Sequence, residues 1–263
     1  MTHTHTDNAM QHFRADEQPF IERALDWIER ATTYHQPVLT QFLNPRERYI
    51  LQAFVPAGSE VVLGFDGGYD GAEYTRCLLV PSYWQPDESE MALSFLRVTG
   101  ASKFQRLAHK DYLGALLHLG IKRDTIGDLL VTEGGCDLVT TREMGSFIEL
   151  HLKHVHRVHV AVTAIGRSAL RVPEHKWLEQ SVTVASARLD SVLSAAFPLS
   201  RSKTVSLIRT GKCKLNWKVE ENAAAPVEPG DMLSLRGYGR VLVASVDGTT
   251  KRGRLRLTLH KPH

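Results

Sequence analysis

The order of predicted strands and helices between residues 93 and 165 constrains the fold of this chain most. Apolar runs predict strands at residues 93–98, 128–131, 137–139 and 158–165, with helices at 112–117 and 147–152 between them. The two middle strands form a hairpin around Gly134 and Gly135. The resulting β-α-β-β-α-β order predicts a ferredoxin-like split arrangement, a topology that many RNA-binding sheets share but that does not by itself fix a function.

The residues before this region predict two helices and a hairpin. Apolar residues at helical spacing predict a helix over 20–32. A second helix begins at Asn44, a good N-cap, because Pro45 suits the first helical position and Glu47 suits the first turn. Two further strands, at 61–63 and 77–80, add an N-terminal hairpin to the middle domain.

The last eighty residues predict a separate small module. Leu189, Val192, Leu193 and Ala196 form the buried stripe of one short helix. A second helix runs from Ser200 to about residue 210 and is closed by Gly211. Strands follow through Leu215 and over 232–236, 241–246 and 254–259, with Asp247-Gly248 as the turn between the last two. In the final strand Arg254 and Arg256 alternate with leucines, which predicts one core face and one basic face.

The fold class that follows is α+β in three folded parts: a helical N-terminal segment, a ferredoxin-like (RRM-like) middle domain and a C-terminal module. We expect five segments: a disordered start (1–11), the helical segment (12–58), the middle domain (59–166), a linker (167–181) and the module (182–263). No apolar run approaches the roughly 18 residues of a membrane span, and the first residues lack a signal-peptide apolar segment. We expect a soluble, cytoplasmic protein that does not bind membranes.

Charge is divided unevenly along the chain. Residues 182–263 hold 14 Lys and Arg against 6 Asp and Glu, a net charge of +8, whereas the first 181 residues hold 18 against 23, a net charge of −5. A compact module with this excess of cations is typical of proteins that bind a polyanion. Nucleic acid is therefore the leading partner.

The start of the second helix in this module predicts an anion site. The helix dipole favours acidic residues in the first turn by roughly 0.3–1 kcal/mol, yet Ser200 is followed by Arg201 and Lys203. Helix stability alone does not explain that choice. The cations are explained if a phosphate binds there, held by the N–H groups of the helix start, the serine hydroxyl and the two cations.

Seven cations within about thirty residues indicate a shared phosphate-binding surface. The predicted RNA-binding set is Arg188, Ser200, Arg201, Ser202, Lys203, Arg209, Lys212, Lys214, Asn216, Lys218, Arg236 and Arg240. Trp217 is suited to stacking on a base. A tryptophan in a strand of a small module is more often part of the core, however, and the sequence favours that prediction.

Metal and cofactor sites are not predicted. Cys77, Cys136 and Cys213 are far apart and lack C-x-x-C spacing, which indicates ordinary thiols. The histidines at 151, 154, 156 and 159 cross from a helix into a strand, so their rings should diverge. The acidic residues Asp66, Asp70, Glu73, Asp111 and Asp128 are expected to serve as helix caps and turns rather than as an acid–base site.

Two sets of motifs carry a resemblance to known families. The patterns Arg188-Leu189-Asp190, Ser200-Arg201-Ser202-Lys203, Gly211-Lys212 through Lys218 and Pro229-Gly230-Asp231 resemble the S4 RNA-binding domain, or αL motif, over roughly residues 184–260. Earlier motifs resemble the YlmH-type RNA-binding proteins: Phe42 through Glu47, Gly67 through Glu73, His109 through Gly114 and Gly120 through Asp128. Asn44 departs from the Asp expected in much of that family, although either residue caps a helix.

The resemblance implies a helical start, a ferredoxin-like middle and an S4-type module. It implies a ribosome-associated factor that binds rRNA or tRNA on large subunits obstructed by peptidyl-tRNA and takes part in translation quality control. By motif position it assigns RNA contact to Arg188, Ser200 through Lys203, Lys212, Lys214 and Asn216. We expect a monomer without cofactor or enzymatic activity.

The rival interpretation is an RNA-modifying enzyme, because S4-type modules are often attached to pseudouridine synthases and methyltransferases. The glycine-rich stretch 64–71 lacks the G-x-G-x-x-G fingerprint and a clear following helix. The one Arg-Leu-Asp triplet, Arg188-Leu189-Asp190, belongs to the module's first helix, where Asp190 is expected to cap or pair locally. A protein-interaction module, resting on the acidic first parts, is a third class.

Overall fold

The computed structural model describes residues 13–56, 58–84, 87–100, 107–173 and 177–262. The chain forms two compact units, Met1–Pro173 and Glu174–His263. The first unit contains a small helix-and-sheet part and a larger sheet with two helices. The predicted disordered start, residues 1–11, lies outside the described residues.

Two helices and a three-stranded sheet open the first unit. Helix α1 (Gln18–Thr33) and helix α2 (Pro45–Phe54) accompany strands β1 (Val38–Leu39), β2 (Val61–Asp66) and β3 (Arg76–Pro81), which pair in the antiparallel order β1-β3-β2. The core between helices and sheet includes Ile21, Leu51 and Leu79, each at most 1% exposed. Both predicted helices are confirmed.

Asn44 fixes the start of α2 as its sequence predicts. Its Oδ1 accepts hydrogen bonds from the backbone N–H of Arg46 at 2.9 Å and of Glu47 at 3.1 Å, and the Glu47 carboxylate accepts from the Asn44 N–H at 2.9 Å. This reciprocal capping box satisfies backbone donors that the helix itself leaves unpaired. Asn44 and Glu47 together therefore fix where α2 begins.

The second part of this unit is the predicted split arrangement. Its strands β4 (Leu93–Gly100), β5 (Ile126–Thr132), β6 (Gly135–Thr141), β7 (His154–Val155) and β8 (Val158–Ala164) form one antiparallel sheet in the order β5-β6-β4-β8-β7. Helices α3 (His109–His118) and α4 (Arg142–His151) supply Tyr112, Leu116 and Ile148 to a core with Leu96 and Val98. The chain order β4-α3-β5-β6-α4-β8 is β-α-β-β-α-β, with the short β7 added at the edge.

The predicted boundary at residue 59 is wrong. Strands β2 and β3 pair with β1 and share a core with α1 and α2, so the hairpin belongs with the N-terminal helices and not with the middle sheet. Asp128 joins the two parts within this unit. Its carboxylate accepts hydrogen bonds from the Tyr69 hydroxyl at 2.7 Å and from the N–H groups of Glu73 and Tyr74 at 2.7 and 3.2 Å.

The C-terminal unit is a six-stranded antiparallel sheet with two helices. Its strands are β9 (Trp177–Val184), β10 (Cys213–Leu215), β11 (Lys218–Val219), β12 (Met232–Leu235), β13 (Gly239–Thr249) and β14 (Leu255–Pro262), in the order β11-β10-β12-β13-β14-β9. Helices α5 (Leu189–Ala196) and α6 (Arg201–Arg209) bury the predicted stripe of α5 together with Thr204 and Ile208 of α6.

The predicted linker over 167–181 is only partly a linker. Strand β9 begins at Trp177 and pairs with β14 along its whole length, from Trp177 opposite Pro262 to Val184 opposite Leu255. The residues before it, up to Arg171, are bound to the middle sheet by hydrogen bonds and ion pairs described below. Sequence composition alone did not indicate that strand, because polar residues alternate with only a few apolar ones.

Among the residues that the structure describes, no helix combines the length and apolar character needed to cross a lipid bilayer.

Candidate nucleic-acid interface

The first turn of α6 exposes the predicted anion-binding residues. Ser200 is the N-cap, and its Oγ accepts a hydrogen bond from the Lys203 N–H at 3.3 Å and lies 3.1 Å from the Ser202 Oγ. All four residues from Ser200 to Lys203 are exposed, and the first turn contains no acidic side chain. The positive end of the helix dipole and two hydroxyls therefore face solvent together with two cations, an arrangement suited to a phosphate.

Arg201 also has a partner inside the protein. Asp190, whose side chain is only 2% exposed, accepts a hydrogen bond from Arg201 Nε at 3.0 Å and from Arg188 Nε at 3.2 Å. Arg201 and Arg188 remain 60% and 42% exposed, so each guanidinium is fixed on one side and open to solvent on the other. The expectation that Asp190 pairs locally is confirmed. The ion pair with Asp190 therefore accounts for Arg201 in the first turn without a phosphate.

The environment of Asp190 keeps it ionised. Burial alone would raise the pKa of its carboxyl, but the hydrogen bonds and charges of Arg201 and Arg188 outweigh burial and hold the pKa below its usual value. Two arginines and one carboxylate leave this cluster with a net charge of +1. The Asp190 carboxylate orients the two guanidinium groups beside the start of α6 but can neutralise the charge of only one of them.

Lys203 lies beside an aromatic pair. Its Nζ is 5.9 Å from the centre of the Tyr238 ring, and that ring lies 6.2 Å from the ring of Phe197. A cation over the face of an aromatic ring is attracted to it, by about 0.5–1 kcal/mol at an exposed site. The contact keeps the Lys203 ammonium near Tyr238, which itself packs against the core of this unit.

A second group of predicted cations lies on the opposite face of the sheet. Lys214 of β10 pairs with Ser234 of β12, which pairs with Arg240 of β13, so the three share one face. Their neighbours Cys213, Leu233, Leu235 and Val241 are buried beneath the helices. Because side chains alternate along a strand, Lys214 and Arg240 must point away from α5 and α6.

The remaining predicted cations lie around these two groups. Arg236 follows β12 and donates its backbone N–H to the Lys212 carbonyl at 2.9 Å, and both side chains are exposed. Lys218 pairs with Leu215 and so shares the face on which Leu215 packs. Arg209 is exposed at the far end of α6, about 12 Å from its start at 1.5 Å per residue. The predicted set therefore does not lie on one face of the unit.

Asn216 is used to stabilise the turn after β10. Its Nδ2 donates to Asp231 Oδ1 at 2.7 Å, and its Oδ1 accepts from the Met232 N–H at 2.9 Å. The amide thus ties the β10–β11 turn to the start of β12. This gives Asn216 a structural role that the motif did not indicate.

Trp217 is neither in a strand nor in the core. It occupies the two-residue turn between β10 and β11, and the core cluster of this unit, as far as the chain is described, does not include it. The guanidinium of Arg240 lies 5.9 Å from its ring centre. The prediction of a core tryptophan is wrong, because Asn216 and Trp217 form the hairpin turn that follows the strand.

The open face of the middle sheet is covered by the chain itself. Arg97 donates to Asp137 at 2.8 Å through both Nε and Nη2, and its Nη2 donates to the Ala169 carbonyl at 2.6 Å. Arg171 Nη2 donates to the same carboxylate at 2.6 Å. Beside this network Arg167 lies over the Phe95 ring, 5.8 Å from its centre. RNA-binding sheets of this topology stack bases on this face, and here residues 167–171 occupy the part of it around Phe95, Arg97 and Asp137.

Other candidate chemical groups have structural roles. Asp66 accepts the Gly68 N–H at 2.8 Å and pairs with Arg167, and Asp111 accepts the Ala108 N–H at 2.8 Å, in line with the predicted turns and caps. All three cysteines are buried and free, and burial raises the pKa of Cys213 to about 12.

Two of the four histidines that were expected to diverge, His154 and His159, lie together. The rings of His154 and His159 are 5.0 Å apart, whereas His151 lies against Phe147 at 4.4 Å. Within the described ranges no three His, Cys, Asp or Glu side chains come together as metal ligands.

The sequence matches two profiles of one protein family. Residues 16–84 match the profile described as "YlmH, N-terminal", and residues 86–168 match "Putative RNA-binding domain in YlmH". The division between them falls after the three-stranded sheet and before the five-stranded sheet, where the structure also separates the two parts.

Two known proteins resemble the chain over much of their length. The ribosome-associated protein quality control protein P2 of Bacillus subtilis is 38% identical over 251 residues, which are 95% of this chain and 97% of that protein. The solved structure of cell division protein YlmH from Streptococcus pneumoniae is 27% identical and superimposes with a TM-score of 0.53, over 62% of this chain and 98% of that one.

Proposed function

The chain belongs to the YlmH family, and we propose that it is a ribosome-associated RNA-binding protein that recognises rRNA or tRNA through phosphate and shape contacts. The observation that carries the proposal is the exposed start of α6, where Ser200, Arg201 and Lys203 face solvent beside Arg188. The relative from Bacillus subtilis, named for ribosome-associated quality control, supports the ribosomal part of the proposal.

The finer role follows from the family resemblance. The protein binds large subunits obstructed by peptidyl-tRNA, acts in translation quality control and works in the cytoplasm as a monomer. The matched profiles end at residue 168, so the assignment of the C-terminal unit to the S4 type rests on its own residues. Support comes from two adjacent short helices followed by a basic antiparallel sheet.

We propose that the protein is not an enzyme. A pseudouridine synthase needs a reactive aspartate in an Arg-Leu-Asp setting, and Asp190 is buried between two arginines that stabilise its charge. A carboxylate held in this way is a structural anchor, because both of its oxygens already accept hydrogen bonds from the protein. The RNA-modifying alternative would need a second site elsewhere in the chain.

Co-sedimentation with ribosomal particles tests the proposal. Purified chain is layered with large subunits that carry peptidyl-tRNA, with empty large subunits and with small subunits. We expect the chain to travel with large subunits, most strongly with those that carry peptidyl-tRNA. Lys203→Glu together with Lys214→Glu should abolish this binding. Lys251→Glu, an exposed charge reversal in the β13–β14 turn, is the matched control and should bind like the natural chain.

Equal binding to small and large subunits, or binding that survives the double charge reversal, would contradict the proposal. A modified nucleotide formed on incubation with ribosomal RNA would instead support the enzyme alternative. Mass spectrometry of nuclease digests detects such a product directly.

A further inference from the structure

The turn between β10 and β11 holds a tryptophan in a backbone conformation that tryptophan rarely adopts. Leu215 pairs with Lys218, so Asn216 and Trp217 form a two-residue hairpin turn, with φ of 50° and 65°. Two positive φ values in succession define a type I′ turn, for which Asn-Gly is the preferred sequence. Asn216 satisfies the first position, since Asn tolerates the left-handed region. The second position, where glycine is preferred, is filled by the largest side chain.

The strain at Trp217 does not serve the core of the unit. A bulky residue at positive φ is a conformational outlier, and such strain concentrates at functional sites. Core packing would offset the cost, but Trp217 lies outside the core cluster that the described residues form. Glycine would make the same turn without strain. The ring, and not the backbone of the turn, therefore distinguishes Trp217 from the usual residue at this position.

One cation lies near that ring on the outer face of the sheet. Arg240, whose guanidinium is 5.9 Å from the ring centre, shares a face with Lys214, and this is the face turned away from the helices. Trp217 therefore lies on the same side as these two cations. An aromatic ring beside cations is the combination that binds single-stranded RNA, because bases stack on the ring while phosphates meet the positive charges.

We propose that Trp217 and Arg240 form a stacking site for one unpaired RNA base, with Lys214 neutralising an adjacent phosphate. This inference rests on the proposed RNA-binding function and extends it, because it adds recognition of an unstacked nucleotide to the phosphate contacts at the start of α6. The site selects bulged or single-stranded positions over continuous duplex, since only an unstacked base can present its face to the indole.

Binding of two matched RNA hairpins tests the inference in the full-length protein. One hairpin is fully paired, and the other carries a single bulged 2-aminopurine whose fluorescence falls when it stacks. The natural chain should bind the bulged hairpin more tightly and quench its fluorescence. Trp217→Gly should weaken binding to the bulged hairpin by about 5- to 150-fold, the effect expected for loss of one stacked base. Its affinity for the paired hairpin should stay unchanged.

The glycine variant also separates a ligand-binding role from a structural one. Because Gly relieves the positive-φ strain, Trp217→Gly should keep or raise the melting temperature, and Trp217→Phe should retain much of the preference for the bulge. A lower melting temperature for Trp217→Gly with unchanged preference for the bulge would show that the ring is structural. Equal binding of both hairpins by the natural chain would overturn the stacking site alone. Binding of neither hairpin would count against the proposed RNA-binding function itself.

Discussion

The guanidinium of Arg201 lies 2.9 Å from the buried carboxylate of Asp190, although eleven residues separate the two along the chain. Arg188 binds the same carboxylate from the other side, so one aspartate ties the start of α5 to the start of α6. The first turn of α6 therefore contains cations of two kinds. Arg201 stabilises the fold and keeps 60% of its side chain exposed, whereas the side-chain ammonium of Lys203 lies near the ring of Tyr238.

Charge reversal at these two positions should separate stability from binding. Arg201→Glu places a carboxylate against Asp190 and should lower the free energy of unfolding by about 1.5–3 kcal/mol, the range for a lost hydrogen bond to a charged group. Lys203→Glu should change it by less than about 0.5 kcal/mol, as surface substitutions usually do, while weakening RNA binding. Thermal unfolding and RNA titration of both variants check this. A stable Arg201→Glu variant would contradict the anchoring role of Asp190.

RNA binding should depend steeply on salt. Each phosphate contact contributes roughly 0.7–0.9 to the slope of log affinity against log salt concentration, because bound counterions are released. Lys203→Ala and Lys214→Ala should each reduce that slope by about this amount. Titrations at several salt concentrations measure it, with Lys251→Ala as the control that leaves the slope unchanged. A flat salt response of the natural chain would remove the electrostatic basis of the account.

The secondary structure that depends on local signals was predictable. The cap at Asn44 and the alternation of strands and helices from Leu93 onward are properties of short stretches, and the structure confirms them. The pairing of β2 and β3 with β1 was not predictable, because β1 is a strand of only two residues, Val38–Leu39. Asp247-Gly248 resembles a turn, but β13 continues through it with register shifts after Val243 and Val246.

The candidate site was predictable only in part. Ser200 as the N-cap follows from its sequence and is confirmed. The Asp190–Arg201 pair depends on how α5 and α6 pack against each other, and no local sequence pattern predicts that packing. The sequence favours a core strand position for Trp217, because Asn-Trp is not a usual sequence for a type I′ turn. In the structure Trp217 nevertheless lies in that turn at positive φ. The usual sequence preferences of turns therefore fail at Trp217, the residue for which we propose a ligand.

Gly68 and Gly71 should respond differently to substitution by alanine. At Gly68, where φ is 93°, an added Cβ would lie 2.6 Å from Phe95 Cε1 and 3.2 Å from Val139, so the loop could not keep its place on the middle sheet. Gly68→Ala should cost about 2–4 kcal/mol, from backbone strain and overpacking together. Gly71, at φ 83°, meets nothing within 4 Å, and Gly71→Ala should cost about 1–2 kcal/mol from backbone strain alone. Denaturant unfolding measures both, and equal effects would contradict close packing at Gly68.

Acid should destabilise the first unit through Asp137. Burial alone would raise the pKa of this carboxyl, but hydrogen bonds from Arg97 and Arg171 reverse the shift and hold the pKa well below its usual range. A depressed folded-state pKa stabilises the protein above the unfolded value of about 3.9, and the contribution is lost as the pH falls through the folded value. Unfolding followed from about pH 6 down to pH 2 should therefore show a steep loss of stability.

Asp137→Asn is the matched variant for this titration. At neutral pH it should be less stable by about 3 kcal/mol, the low end for a broken buried ion pair, because both arginines are partly exposed. Its stability should depend less on pH in the acid range. Burial raises the pKa of Asp128, so this carboxyl changes the stability with pH in the opposite direction. Asp128 is present in both proteins and therefore does not affect the comparison. The same acid dependence in both proteins would assign the effect to other carboxylates.

The most direct test of RNA binding through the C-terminal unit is crosslinking of the chain to RNA in its native cell, followed by sequencing of the crosslinked fragments. The natural chain should enrich large-subunit rRNA and tRNA, and Lys203→Glu with Lys214→Glu should lose this enrichment while the protein stays folded and abundant. Enrichment of a single non-ribosomal RNA, or a crosslinking pattern that the double charge reversal leaves unchanged, would contradict the account.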